Sequence, residues 1–172
     1  MTMPDIEARH FRDVLGHFPT GVVVVTAIGP DGEPAGMAIG SFTSVSLDPP
    51  LVAFLPAKTS TSWPRMSGAE SFCVNVLGHP QAELGRAFAR SGGPKFDGLA
   101  WTPAPSGAPV LPGVLAWIDC RRSDVHSAGD HWIVLGEVTA LSADPEAEGP
   151  LVFYRGAFGH FAVPPPAGPA TI

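Results

Sequence analysis

Positive charge is scarce in this sequence. Its 172 residues hold ten lysines and arginines against sixteen acids, a net charge of −6, and only Lys58 and Lys95 are lysines. Nucleic-acid binding relies on clustered cations that neutralise phosphates, so DNA and RNA are set aside as partners. An anionic membrane surface is set aside for the same reason. No apolar run approaches the ~20 residues that cross a bilayer. The first twelve residues are polar, with Asp5 and Glu7 among them, unlike a signal peptide, so a cytoplasmic location is expected. The two cysteines, Cys73 and Cys120, sit in apolar runs without a C-x-x-C spacing and read as buried thiols. No H-E-x-x-H or Cys/His cluster exists to hold a metal. The G-x-S-x-G elbow, the Walker lysine and the G-x-G-x-x-G fingerprint are also missing. Asp130 and His131 are adjacent, and neighbours on a strand point to opposite faces, so no dyad is expected from them. A chain with so few reactive groups points to a borrowed cofactor for any hard chemical step.

What is present fits one domain. Hydrophobic residues make up 45% and charged residues 15%. That charged share lies below the usual ~25%, and a low-charge surface suggests an oligomer. Apolar spacing predicts a helix over 5–17, with Ile6, Phe11, Val14, Leu15 and Phe18 near one face. The β-branched run 22–28, the turn chemistry of Pro30-Asp31-Gly32-Glu33 and the return over 35–39 predict a hairpin. Further strands are expected over 42–47, 51–55, 72–77, 114–120, 132–141 and 151–154. Asp48-Pro49-Pro50 breaks one pair, and Ser127-Ala128-Gly129-Asp130 turns between another. A loop feeding a short helix is expected over 58–67, and a second helix over 81–90. Residues 164–172 form a proline-rich tail with too little apolar content to fold alone. About seven strands, three helices and frequent Gly/Pro punctuation suggest a barrel or sandwich.

Two polar constellations stand out. The first runs Gly36-Met37-Ala38-Ile39-Gly40-Ser41-Phe42-Thr43-Ser44-Val45-Ser46. Its small residues let backbone approach a flat ring, although a surface hairpin edge would look the same. The second is Ala57-Lys58-Thr59-Ser60-Thr61-Ser62-Trp63. Four hydroxyls, backbone N–H groups and one ammonium suit a phosphate, although a capped polar turn would look the same. Together they describe a ligand with a ring at one end and a phosphate at the other. A flavin nucleotide fits, and pyridoxal phosphate fits less well. Trp63, Trp101, Trp117 and Trp132 read as core or interface residues. Asn75, alone of its kind, reads as structural.

Several stretches resemble the short-chain flavin reductases of the FMN-binding split-barrel fold, the reductase components of two-component flavin-dependent monooxygenases. They are Phe18-Pro19-Thr20-Gly21-Val22-Val23-Val24-Val25-Thr26, Ser41-Phe42-Thr43-Ser44-Val45-Ser46-Leu47-Asp48-Pro49-Pro50-Leu51 and Phe72-Cys73-Val74-Asn75-Val76-Leu77. Arg86-Ala87-Phe88-Ala89, Gly129-Asp130-His131 and Gly136-Glu137-Val138 follow in the same order. The resemblance implies a mainly β (α+β) domain over 1–163. Its core would be a six- to seven-stranded antiparallel split β-barrel of Greek-key type with flanking short helices, paired as a homodimer. It implies hydride transfer from NADH or NADPH to FAD or FMN, and delivery of reduced flavin to a monooxygenase. Met37, Ala38, Ile39, Gly40 and Ser41 would border the flavin ring, with Ser46 nearby. Ala57, Lys58, Thr59, Ser60, Thr61 and Ser62 would hold phosphate, and Phe88 would lie near the far end. His131 would sit by the nicotinamide, with Pro19 and Thr20 closing that pocket. Where the family carries Thr-Ala-Asn, this chain has Ala38-Ile39-Gly40, which removes two side-chain hydrogen-bonding groups. A non-catalytic flavin- or heme-binding barrel and an oxidase of the pyridoxine-phosphate type remain alternatives.

Overall fold

A computed structural model describes residues 6–147 and 149–161. The tail expected over 164–172 lies outside them, as does the expected helix start at Asp5. The described chain runs α1 (Ala8–Leu15), β1 (Thr20–Gly21), β2 (Val23–Ile28), β3 (Pro34–Ile39), β4 (Phe42–Leu47), β5 (Pro50–Phe54), α2 (Trp63–Met66) and β6 (Ser71–Val76). A 3-10 turn (His79–Gln81) leads into α3 (Ala82–Ala89). The remainder is β7 (Thr102–Pro103), β8 (Pro109–Val110), β9 (Ala116–Ala128), β10 (His131–Ala143), β11 (Leu151–Tyr154) and β12 (Ala157–His160).

The fold is mainly β, and its pairings are antiparallel. Seven strands form one sheet in the order β3-β2-β6-β9-β10-β5-β4. They correspond to seven of the eight strands expected from the sequence; the eighth, over 151–154, is β11. A three-stranded sheet, β1-β11-β12, and a small β7-β8 pair complete the set. The continuous apolar run of β2 follows from burial on both faces. Val23, Val25 and Ala27 enter one core with Phe54, Phe72 and Val134, while Val22 and Val24 enter a second with Leu77, Phe88 and Leu151.

Several strand limits differ from expectation, that of β9 the most. β9 begins at Ala116 and continues to Ala128, rather than covering 114–120. Its second half, from Arg121, is polar and mostly exposed, so no apolar run announces it. β5 begins at Pro50, which pairs with Leu47, while the register with β10 stops at Leu51; the first residue of a strand tolerates the missing N–H of proline.

The order of the sheet fixes its shape. β3 and β4 are its two edges, six strand spacings apart, yet only Gly40 and Ser41 separate them in the chain. A flat sheet would put those edges roughly 29 Å apart. The link from Ile39 to Phe42 reaches about 11 Å at most. The sheet therefore curls until its edges approach, and Gly40–Ser41 crosses the seam.

Candidate active site

A cavity of about 230 Å³ opens beside this seam. One wall is β3, through Met37, Ala38 and Ile39; the other is the polar segment carrying Pro56, Ala57, Thr59, Ser60, Thr61 and Ser62. The end of α3 closes it with Phe88, Ala89 and Arg90, joined by Ser91 and Lys95.

β3 is suited to this place because it has a strand partner, β2, on one side only. Its other edge carries backbone groups that point outward. The Gly36 carbonyl accepts from Lys95 Nζ at 3.3 Å. The two-residue period of a strand turns the N–H and C=O of Ala38 the same way. Gly36 is required here, since a Cβ would lie 2.8 Å from the Phe88 ring. Phe88 itself is 1% exposed and meets Phe96 edge-on.

The facing hydroxyls are held as acceptors. Ser60 Oγ receives the N–H groups of Ser62 and Trp63, each at 3.2 Å. Thr61 Oγ1 receives Gly92 N–H at 3.1 Å, and Ser62 Oγ receives Lys95 Nζ at 2.9 Å. A hydroxyl that accepts keeps its own proton to donate. This donor set, beside an ammonium, fits a phosphate, and the open strand edge fits the rim of a heteroaromatic ring. The residues present therefore suit a flavin nucleotide.

The positive charge comes from an unexpected lysine. Lys58 turns away: its Nζ donates to Ser127 Oγ and Gly129 O, both at 2.7 Å, and lies 4.8 Å from the centre of the Trp132 ring. It clamps the β9–β10 turn instead of facing the cavity. Lys95 takes its place, donating to Gly36 O, Ser62 Oγ and Phe88 O. Burial, and secondarily the Arg65 guanidinium, holds its pKa below the usual lysine value. The signal for Lys95 was its position a few residues past the helix that carries Phe88. Arg90 and Ser91, also missed, close that same helix.

Gly40, Ser41 and Ser46 do not line the cavity. Ser41 Oγ donates to Leu55 O at 3.1 Å, and Ser46 pairs with Leu51 beside a bulge. Thr20 approaches Gly40, whose Cβ would sit 3.0 Å from Thr20 Oγ1. Pro19 is exposed beside it. Pro19, Thr20 and His131 do not line the cavity either; His131 is bridged to Ala57, which does, while Trp132 N–H donates to Pro56 O at 3.0 Å.

One expectation is overturned. Asp130 and His131 do pair, Oδ1 to Nδ1, at 2.7 Å. Face alternation applies within a strand, but Asp130 belongs to the turn and β10 starts at His131. The hydrogen bond from His131, then its charge, holds the Asp130 carboxyl below the usual carboxylate range.

Residues 15–162 match the model of the flavin reductase like domain. A flavin reductase of Pseudomonas putida is 52% identical over 157 residues, covering 91% of this chain and 92% of its own. The reductase subunit HsaB of a flavin-dependent monooxygenase from Rhodococcus jostii is 48% identical over 153 residues, covering 89% and 77%. Among solved structures, the Streptomyces globisporus NADH:FAD oxidoreductase SgcE6, in complex with NAD and FAD fragments, superposes with a TM-score of 0.84 at 39% identity, covering 94% and 98%. With a family match across most of its length and a cavity built to suit a flavin, the chain belongs to the flavin reductase-like family.

Proposed function

We propose that this protein is an NAD(P)H-dependent flavin reductase that takes FMN or FAD into the seam cavity and supplies reduced flavin to a partner flavin-dependent monooxygenase. The observation that carries this reading is the open edge of β3 facing three hydroxyls that already act as acceptors, with Lys95 between them. The ring would lie along the backbone of Met37, Ala38 and Ile39, with Gly40, Ser41 and Ser46 supporting the seam behind it. The phosphate would take the protons of the Thr59, Ser60, Thr61 and Ser62 hydroxyls. Bound flavin supplies the hydride acceptor. The chain's own task is to hold the nicotinamide against it, a proximity effect worth up to about 7–11 kcal/mol. His131, oriented by Asp130, would hold the nicotinamide carboxamide, and Pro19 and Thr20 would close over it.

We extend the proposal to the assembly. The curled seven-stranded sheet is that of a split barrel, and the functional unit is a homodimer in the cytoplasm. Two buried free thiols support a reducing compartment. The deciding experiment mixes purified protein with NADH or NADPH and follows nicotinamide absorbance with and without added FMN or FAD. Flavin-dependent loss of NAD(P)H is expected. Flavin binding without that loss would leave a non-catalytic flavin carrier in its place.

A further inference from the structure

Lys58 sits where two parts of the site meet. Toward the hairpin tip, β9 leaves β6 at the Ser71–Arg121 pair, and β10 leaves β5 at the Phe54–Val134 pair. Beyond those pairs, among the described residues, the tip of the β9–β10 hairpin has strand partners only within itself. The chain that follows β5 takes over as its neighbour. Trp132 N–H donates to Pro56 O at 3.0 Å, Ala57 bridges to His131, and Lys58 N–H donates to Asp130 O at 2.8 Å. The same chain then continues as the hydroxyl segment, Thr59 to Ser62, that lines the seam cavity. Three residues, Pro56 to Lys58, thus join the hairpin tip on one side to the cavity wall on the other.

A short turn surrounded by water is a place where a chain frays. Ser127, Gly129 and Asp130 are all exposed, and Gly129 takes a φ of +58°. The Lys58 side chain reinforces this tip. Its ammonium donates to Ser127 Oγ and to Gly129 O, both at 2.7 Å, and lies 4.8 Å from the centre of the Trp132 ring. Ser127 belongs to β9, Gly129 to the turn and Trp132 to β10. One ammonium therefore ties both strands and the turn, through hydrogen bonds that its charge strengthens. His131 is the first residue after that turn, so the turn sets its place.

We propose, on the flavin-reductase reading, that Lys58 is a positioning residue for the nicotinamide: by locking the hairpin tip it holds His131 beside the seam cavity, ready for the carboxamide. Lys58 then serves the second substrate rather than the flavin phosphate. A contact ordered before the substrate arrives spares binding an entropy cost, and small displacements of a positioning group are costly.

The test compares Lys58→Met, which keeps the aliphatic stem and loses the donors, with Lys58→Arg, which keeps donors and charge. In flavin-free protein, Lys58→Met should speed hydrogen exchange of the Trp132 amide and of the amide at position 58, while β2 and β6 exchange as in wild type. At saturating FMN it should raise the KM for NADH or NADPH by about threefold to tenfold, the loss of one neutral hydrogen bond. FMN affinity and kcat should be kept, as for a group that contributes to binding alone. Lys58→Arg should restore both exchange and KM. His131→Ala should raise KM likewise, and adding Lys58→Met to it should raise KM no further, because the lysine acts through the histidine. Unchanged exchange or unchanged KM in Lys58→Met would overturn the proposal, as would independent effects of the two substitutions. Weakened FMN affinity in Lys58→Met would overturn it too, by placing Lys58 on the phosphate. Each of these outcomes leaves the reductase reading standing. Wild-type protein that binds FMN but oxidises no NADH or NADPH would remove that reading, and the proposal with it.

Discussion

Lys58 and Lys95 show how little a residue's type says about its work. Both are flanked by polar, turn-forming sequence, yet one clamps a hairpin turn and the other sits between β3, Ser62 and the last turn of α3. Lys95→Ala should weaken FMN by about tenfold or more, since a hydrogen bond to a charged group contributes about 1.5–3 kcal/mol. Riboflavin, which has no phosphate, should bind the variant as it binds wild type. Lys58→Ala should leave both affinities unchanged, and fluorescence quenching of the two flavins separates these outcomes. The cysteines make a second prediction at this scale. Burial, with added repulsion from Asp119, raises the thiol of Cys73 from its ordinary 9.0 to about 12. Burial, with repulsion from Cys73 and then Asp119, raises Cys120 from 9.0 to about 12 as well. Between those limits the unfolded chain has lost these protons and the folded chain still binds them. Linkage then makes stability fall as pH rises. Their contribution is intact below pH 9 and declines above it, so urea midpoints should drop from about pH 9 upward. Replacing both cysteines by alanine should flatten that decline.

Elements that pack locally were legible, and elements held by distant partners were not. The 102–113 loop has no periodicity of its own, and its order comes from Asn75. That side chain is fully buried and donates to Val24 O, Thr26 Oγ1 and Pro109 O, while its Oδ1 accepts Leu111 N–H at 2.8 Å. Asp119, equally buried, accepts Ser106 N–H and O–H. Asn75→Ala should therefore orphan the Leu111 amide and destabilise the fold by about 2–4 kcal/mol, read from urea denaturation midpoints. The same division explains the rest of the comparison. β2, β3 and β6 announce themselves because apolar runs match their burial. The second half of β9 does not, because its stability comes from pairing with β10 rather than from apolar side chains. The hydroxyls of 59–62 were visible as a phosphate-like sequence. Their partner Lys95 was not, since 33 residues separate it from Ser62 and only the packing of α3 on β3 joins them. The Asp130–His131 pair was hidden by a one-residue question, namely where the strand begins.

At the scale of the whole molecule, the curled sheet leaves an edge to be covered. β4 ends the sheet, with Val45 50% and Leu47 94% exposed, and Leu141 on β10 is 67% exposed. An apolar edge strand left bare is an invitation to pair with another chain, and apolar patches of this kind mark interaction sites. The homodimer proposed above would cover β4 and so bring a second copy to the side of the sheet that ends at the Gly40–Ser41 seam. Leu47→Lys places a charge in that contact. Light scattering should give twice the chain mass for wild type and the mass of one chain for the variant. Circular dichroism should be unchanged, because Leu47 is 94% exposed among the described residues. Flavin affinity reads the coupling between assembly and site. If the second copy supports the seam, the monomeric variant should bind FMN more weakly even though no residue of the cavity has changed. Retained affinity in a proven monomer would show that each chain builds its flavin site alone. A wild-type protein that stays monomeric would overturn the dimer itself.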